Sequence, residues 1–258
     1  MIASGRNPFN YTINYPITRL PNYPIPLSIR AVFFDVDFTL IYPGPMFRGE
    51  GYRAFCARYG MEADPAKFDA AVASAAPLLD GPPEYDAEVF VQYTRHIIEK
   101  MGGKGPRIEE CAREIYAEWA ACHHFELYED VPPALGELKA AGIRVGLISN
   151  SHRCLASFQS HFALQGLVAA AISSSEHGFM KPHPSIFAAA LQLVNVPAGA
   201  ALMVGDSVRQ DVDGALAAGM RAALLHRGEG EHDCERSLAA RGVPTIRSLR
   251  DLRNLVIE

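Results

Sequence analysis

From residue 30 onward, short unbroken apolar runs alternate with amphipathic stretches of helical length. The runs are 30–35 (RAVFFD), 143–149 (IRVGLIS), 167–173 (LVAAAIS), 200–206 (AALMVGD), 221–226 (RAALLH) and 243–246 (VPTI). Runs of this length without polar alternation predict strands covered on both faces. The segments 131–142, 185–195 and 210–220 carry apolar residues at helical spacing. The first opens with prolines and closes on a glycine, the usual punctuation of a helix. Strand–helix alternation of this kind predicts a parallel sheet with helices on both sides.

One interval breaks the rhythm. Between Tyr42 and Tyr128 lie about 85 residues with no run that reads as a strand. Helical patterns occupy 46–60, 64–76, 85–101 and 107–123. The third places Val89, Phe90, Tyr93, Ile97 and Ile98 on one side and stops at Gly102–Gly103. The expectation is an α/β protein with a Rossmann-like parallel sheet core (30–44 and 128–258) and an inserted α-helical cap domain (45–127). The proline-rich ends, 42–45 (YPGP) and 128–133 (YEDVPP), suit hinges.

Residues 1–29 read differently. Asn-Tyr-Pro-Ile at 14–17 recurs at 22–25, and five prolines forbid a continuous helix. An extended N-terminal arm outside the folded core is expected.

Composition narrows the function classes. The 258 residues are 49% hydrophobic and 21% charged, a globular balance with a net charge of −5. That charge argues against nucleic acid or an acidic membrane surface as partner. The five cysteines are scattered, with no C-x-x-C, so a reducing, cytoplasmic setting and buried apolar roles are expected. No apolar stretch approaches the roughly 20 residues of a membrane span, and the N-terminus shows no secretory signal pattern.

The chemistry-bearing residues fall at strand ends. Asp35 ends the first run, with Asp37 two residues on. Ser149 and Asn150 end the second, and Asp206 ends the run before Asp211. Ligands of open parallel sheets bind beyond the carboxyl ends of the strands. Two aspartates one residue apart raise each other's cost of ionising. A cation would stabilise them there, as would a reaction needing one charged and one protonated carboxyl; a plain surface turn is the alternative.

The segments DVDFT (35–39), VGLISN (145–150), GFMKPHP (178–184) and GDSVRQD (205–211) resemble, in this order and strand context, the four motifs of the haloacid dehalogenase-like hydrolase superfamily. The resemblance runs from Arg30 to about Leu255 and includes a helical cap between the first two motifs. It implies a Mg²⁺-dependent phosphatase acting on a small phosphorylated metabolite. Asp35 would be the nucleophile and Asp37 the general acid and base. Lys181 would neutralise phosphoryl charge, and Thr39, Ser149 and Asn150 would serve substrate binding. Mg²⁺ would be held by Asp35, the Asp37 carbonyl and Asp206, with Asp211 behind them. The 2-haloacid dehalogenases of this superfamily lack the second aspartate, so Asp37 favours phosphoryl transfer over carbon–halogen cleavage. A phosphomutase, a phosphonate-cleaving enzyme with a lysine in the cap (Lys67, Lys100 or Lys104), and a phosphate-binding protein with little turnover are the alternatives. The chain is expected to be a monomer or homodimer.

One position departs from the pattern. Phe38 stands where the family usually has glycine. Either the turn keeps φ negative, or Phe38 packs under the cap and shapes its mouth. Weaker candidates are His123 and His124 with Glu126 as a metal set, for which packing is the preferred reading. His152 and Arg153 face substrate or cap a helix, and His183 is a loop spacer. Arg48, Tyr52 and Arg53 are candidate specificity residues at the start of the cap.

Overall fold

A computed structural model describes residues 28–228 and 234–256. The arm expected over 1–29 falls almost wholly outside the described residues. Six strands form one parallel sheet: β1 (Ala31–Phe34), β4 (Arg144–Ser149), β5 (Ala170–Ser173), β6 (Ala201–Gly205), β7 (Arg221–Leu225) and β8 (Thr245–Ile246). Their order is β5-β4-β1-β6-β7-β8, so β1 lies centrally between β4 and β6. The predicted run at 167–173 yields only the four residues of β5, and that at 243–246 only the two of β8.

Why β1 is central follows from its side chains. All four residues, AVFF, are fully buried. Val32 and Phe34 join the core on one face of the sheet, Ala31 and Phe33 the core on the other. That is the period-two alternation of a strand with two covered faces. Each phenylalanine so buried contributes about 2–3 kcal/mol.

The helices of the core are α5 (Val131–Ala140), α6 (Leu155–His161), α7 (Ser174–His177), α8 (Pro184–Val194), α9 (Gly214–Ala217), α10 (Glu235–Ala240) and α11 (Leu252–Val256). The helix expected over 210–220 is shorter: a π-helical turn, Val208–Asp213, leads into α9.

Between Tyr42 and Tyr128 the expectation of helix alone needs correction. Two three-residue strands, β2 (Ile41–Pro43) and β3 (Phe125–Leu127), pair antiparallel at the two crossings into the inserted segment. At three residues each, IYP and FEL, they are too short to show as apolar runs. The Arg227 guanidinium fastens their base, donating to both Asp130 carboxylate oxygens at 3.0 Å and to the Thr39 carbonyl at 2.9 Å. Beyond this ribbon lie α1 (Gly49–Arg58), α2 (Phe68–Ala75), α3 (Ala87–Lys100) and α4 (Ile108–Glu118). In α3 the fully buried residues are Val91, Thr94, Ile97 and Ile98, while Phe90 and Tyr93 are half-buried. The buried face is turned from the predicted one because this helix has two covered sides, one against its neighbours and one over a cavity.

The inserted helices also touch the core away from the ribbon. Met180 N–H donates to the Pro83 carbonyl at 2.7 Å, and Tyr85 N–H to the Gly178 carbonyl at 2.9 Å. Arg209 pairs with Asp80 nearby. The helices therefore stand over the strand ends as a roof held on two sides. No helix among the described residues is long and apolar enough to cross a membrane.

Candidate active site

The carboxyl ends of β1 and β6 are adjacent because the strands pair in parallel register, Phe34 opposite Val204. The residues that follow, Asp35 and Asp206, therefore emerge side by side. Asp211 arrives from the π-helical turn. Its approach requires glycine at 205: a Cβ there would lie 2.2 Å from the Asp211 carboxyl carbon. Carboxylate oxygens of Asp35, Asp206 and Asp211 lie within 4.8 Å of one another.

Lys181 holds this cluster together. Its Nζ donates to Asp35 Oδ1 and Asp211 Oδ1, both at 2.6 Å. The other Asp211 oxygen accepts from the Ser207 amide at 3.0 Å. Asn150 fixes the lysine's backbone, its Oδ1 accepting from Lys181 N–H at 2.7 Å and its Nδ2 donating to the Lys181 carbonyl at 2.9 Å.

The electrostatics follow. Three carboxylates against one ammonium leave two negative charges without a partner. Burial pushes the Asp35 carboxyl well above its ordinary range; Lys181 opposes the shift, and Asp211 and Asp206 add to it. Asp206 is open to the cavity yet walled in by protein. That partial desolvation, with the charge of Asp211, pushes it up to about 7. Burial works against the Lys181 ammonium, but Asp211 and Asp35 outweigh it and hold its pKa above the ordinary lysine value. Hard oxygen donors with excess negative charge suit a divalent cation such as Mg²⁺, and this donor set fits one.

Asp37 lies at the mouth, bound by Arg153. The Arg153 guanidinium is buried; Nη1 donates to Asp37 Oδ1 at 2.8 Å and Nη2 to the Trp119 carbonyl at 2.7 Å. It also lies 4.4 Å from the centre of the Phe125 ring. The helix-capping alternative for Arg153 and His152 is set aside, because Cys154 occupies the N-cap of α6. Arg153 instead ties Asp37 to the end of α4. His152 lines the cavity, stacked on Tyr116 with centroids 4.1 Å apart.

The chain order, strand context and grouped carboxylates agree with a match of the haloacid dehalogenase-like hydrolase family model over residues 29–219. The chain belongs to the haloacid dehalogenase-like hydrolase family. It is 31% identical over 207 residues to the human N-acylneuraminate-9-phosphatase, covering 76% of this chain and 82% of that one. Among solved structures, a HAD phosphatase from Thermococcus onnurineus superposes with a TM-score of 0.60 at 22% identity, covering 88% of this chain and 97% of that one. A 2-haloacid dehalogenase from Pseudomonas syringae pv. tomato DC3000 gives 0.58 at 25%, covering 89% and 98%.

Within this haloacid dehalogenase-like hydrolase, Asp35, Asp37, Asn150, Lys181, Asp206 and Asp211 all line one cavity of about 990 Å³. Thr39 and Ser149 do not; both are fully buried. The Ser149 hydroxyl is 2.8 Å from that of Ser151, which does reach the wall, and Thr39 Oγ1 has no partner. Phe38 overturns the first expectation for its turn. Its φ is +66°, and the ring is exposed at the cavity mouth, 6.4 Å from that of Trp119. The turn is closed by Phe38 N–H to the Ile41 carbonyl at 2.7 Å.

Of the weaker candidates, Tyr52 and Arg48 line the cavity, whereas Arg53 is exposed and paired with Glu50 at 2.6 Å. His183 is the N-cap of α8 and stacks on Phe179. The residue grouped with His123 and His124 is Glu118; Glu126 accepts instead from the Tyr42 hydroxyl at 2.6 Å. Cys56 and Cys111 are buried as expected, but Cys154 is exposed.

Proposed function

We propose that this hydrolase is a Mg²⁺-dependent phosphatase that cleaves a phosphorylated metabolite through an aspartyl-phosphate on Asp35. The observation that carries this reading is the placing of Lys181 Nζ at 2.6 Å from both Asp35 and Asp211, with Asp206 alongside. One carboxylate is thereby aimed into the cavity in a field of fixed charges suited to a phosphoryl group. The similarity to a phosphatase over most of both chains supports the same reading.

Asp35 and Asp206, with the Asp37 carbonyl, would hold Mg²⁺, and Asp211 would keep Lys181 and the loop in place. The bound ion would screen the repulsion between a carboxylate and a phosphate dianion. An Asp35 oxygen attacks phosphorus and the ester P–O bond breaks. The leaving oxygen takes a proton from Asp37, which lines the cavity. Water then attacks phosphorus, Asp37 accepts its proton, and phosphate and free Asp35 are regenerated. Lys181 neutralises charge on the transferring group, and the backbone amide of Asn150 with Ser151 at the wall receives phosphate oxygens.

The phosphonate-cleaving alternative lacks its lysine: Lys67, Lys100 and Lys104 are exposed and none lines the cavity. The dehalogenase likeness bears on the fold, while Asp37 at the cavity wall supports protonation of an oxygen leaving group. The test is phosphate release from a generic aryl phosphate. It is expected to require Mg²⁺, stop with chelator and disappear in Asp35→Asn. Undiminished release in that variant would remove the covalent route.

A further inference from the structure

The cavity has two kinds of wall. Its floor is the charged rim of the strand ends. Its roof comes from the inserted helices and is neutral and ring-rich: Phe68 and Val72 of α2, Phe90 and Tyr93 of α3, Tyr116 of α4 and the adjoining Trp119. Phe90 and Tyr116 are stacked within 24° of parallel, and Tyr116 and His152 within 25°. The roof is thus an aromatic, apolar surface, and a flat ring placed under it gains from burial and from offset or edge contacts.

Charge is scarce under this roof. Of the charged side chains on the cavity wall, the inserted segment contributes Arg48 and Asp69. Arg48 sits at the ribbon end, its Nη2 3.5 Å from the Pro43 carbonyl and its charge felt by Tyr42 and Tyr128. Its neighbours thus belong to the ribbon and Tyr128 and not to the stacked rings Phe90, Tyr116 and His152. Lys181 is already shared between two carboxylates. His152 is kept neutral by burial, which pulls its pKa below the ordinary value. The hydroxyl of Tyr116 is taken by that of Tyr85, and Thr94 Oγ1 donates to the Phe90 carbonyl at 2.9 Å. A carboxylate brought against the ring-lined part of the roof would lose its water, and Arg48 is the one cation that the described residues of the inserted segment bring to the cavity wall, which makes that position costly. At about 990 Å³ the space is also at the upper end of ordinary small-ligand sites, larger than a two- or three-carbon ester fills.

We infer that the cavity selects the phosphate monoester of an uncharged alcohol carrying an aromatic ring, and discriminates against esters bearing a second anionic group. This rests on the phosphatase reading of the rim and adds the substrate class. The ring lies under the aromatic side chains of the roof while the phosphate sits at Asp35 and Lys181. Specificity then comes from desolvation as much as from attraction, because the roof offers an anion nothing in exchange for its water.

The test compares 2-phenylethyl phosphate with 3-phosphonooxypropanoate, two unactivated primary alkyl esters, in the presence of Mg²⁺. The wild-type enzyme is expected to favour the phenylethyl ester by at least about tenfold in kcat/KM, the scale of a pocket that accepts one group and rejects another. Val72→Arg, which places a cation in the roof, is expected to shrink that ratio several-fold. Equal rates, or a preference for the carboxylate ester, would overturn the inference while leaving the phosphatase reading intact. Calorimetry with Asp35→Asn protein and the same two esters separates the two claims. If neither ester nor a generic aryl phosphate is hydrolysed by wild type, the reaction assignment fails, yet tighter binding of the phenylethyl ester would still uphold the selectivity of the roof. Equal binding in that case would remove both.

Discussion

The strand-end rim and the helical roof face each other across one cavity, and they are built on opposite principles. On the rim, Lys181 lies 2.6 Å from Asp35 and from Asp211, and Asp206 stands beside them with its charge uncompensated. In the roof, aromatic and aliphatic side chains dominate, with scarcely a charge. The difference separates two tasks. The rim fixes what reaction can occur, because a carboxylate, an ammonium and a cation site must meet within hydrogen-bond distance. The roof fixes what may enter, through shape and desolvation. Changes to the rim should therefore alter kcat, whereas changes to the roof should alter KM and the preference between esters.

Lys181→Met breaks the rim most severely. It leaves Asp35 and Asp211 buried against each other without their shared partner. Activity is expected to fall by about 10²–10³-fold, and unfolding stability by about 3–5 kcal/mol. Steady-state kinetics and urea titration read the two effects. Activity near wild type would show that the lysine is structural only.

Arg153→Gln sharpens the comparison, because Arg153 is where rim and roof are joined. Removing its contacts to Asp37 and the Trp119 carbonyl is expected to lower kcat about tenfold and stability by about 2 kcal/mol. A double-mutant cycle with Asp37→Asn should show a strong departure from additivity if Asp37 is the acid and base proposed above. Additive losses would mean that Arg153 serves packing alone.

The pH dependence tests the rim's charge. With Mg²⁺ absent, Asp206 has a folded pKa of about 7 against an ordinary 3.8. Between about pH 4 and 7 the folded state thus binds more protons than the unfolded one. Stability of the metal-free protein should be fullest below pH 4 as far as this group is concerned, and should decline as pH rises through 7. If Asp206 holds Mg²⁺ as proposed, the ion competes with that proton, so its affinity should increase over the same range, with proton release on binding. Calorimetry in two buffers of different ionisation enthalpy measures the released proton. Binding with no proton release at pH 6 would contradict the shift.

The smallest effect is at the mouth. Phe38 carries a φ of +66° with an exposed side chain. Phe38→Gly relieves a strain of roughly 1–2 kcal/mol, partly offset by the greater freedom of glycine in the unfolded chain. A net gain of at most about 1 kcal/mol is expected from thermal unfolding, with a modest rise in KM as the aromatic edge facing Trp119 is lost. Destabilisation beyond that would show that the ring contributes more than its exposure suggests.

How far these features could be read from the chain depends on their range. Buried parallel strands announce themselves as unbroken apolar runs, and their ends carry Asp35, Ser149 and Asp206 into view. The short antiparallel ribbon, β2 with β3, gives no such signal, because three residues containing Pro43 make no run. Thr39 and Ser149 fall at motif positions yet lie behind the cavity wall; the turn that buries them depends on local backbone, which spacing does not report. The partnership of Arg153 with Asp37 spans 116 residues and exists only once α6 and the first strand end are packed. The neutral roof was equally hidden. Phe90 and Tyr93 look like core positions in a helical pattern, and only the placing of α3 over the rim turns that face toward a ligand.

The proposed reaction passes the phosphoryl group of the substrate to Asp35 on the rim. Mass spectrometry of protein quenched in acid during turnover with Mg²⁺ and acetyl phosphate tests it most directly. A phosphoryl adduct on the Asp35-containing peptide, lost in Asp35→Asn, is the predicted result. Sustained phosphate release with no adduct at Asp35, and unchanged in that variant, would contradict it.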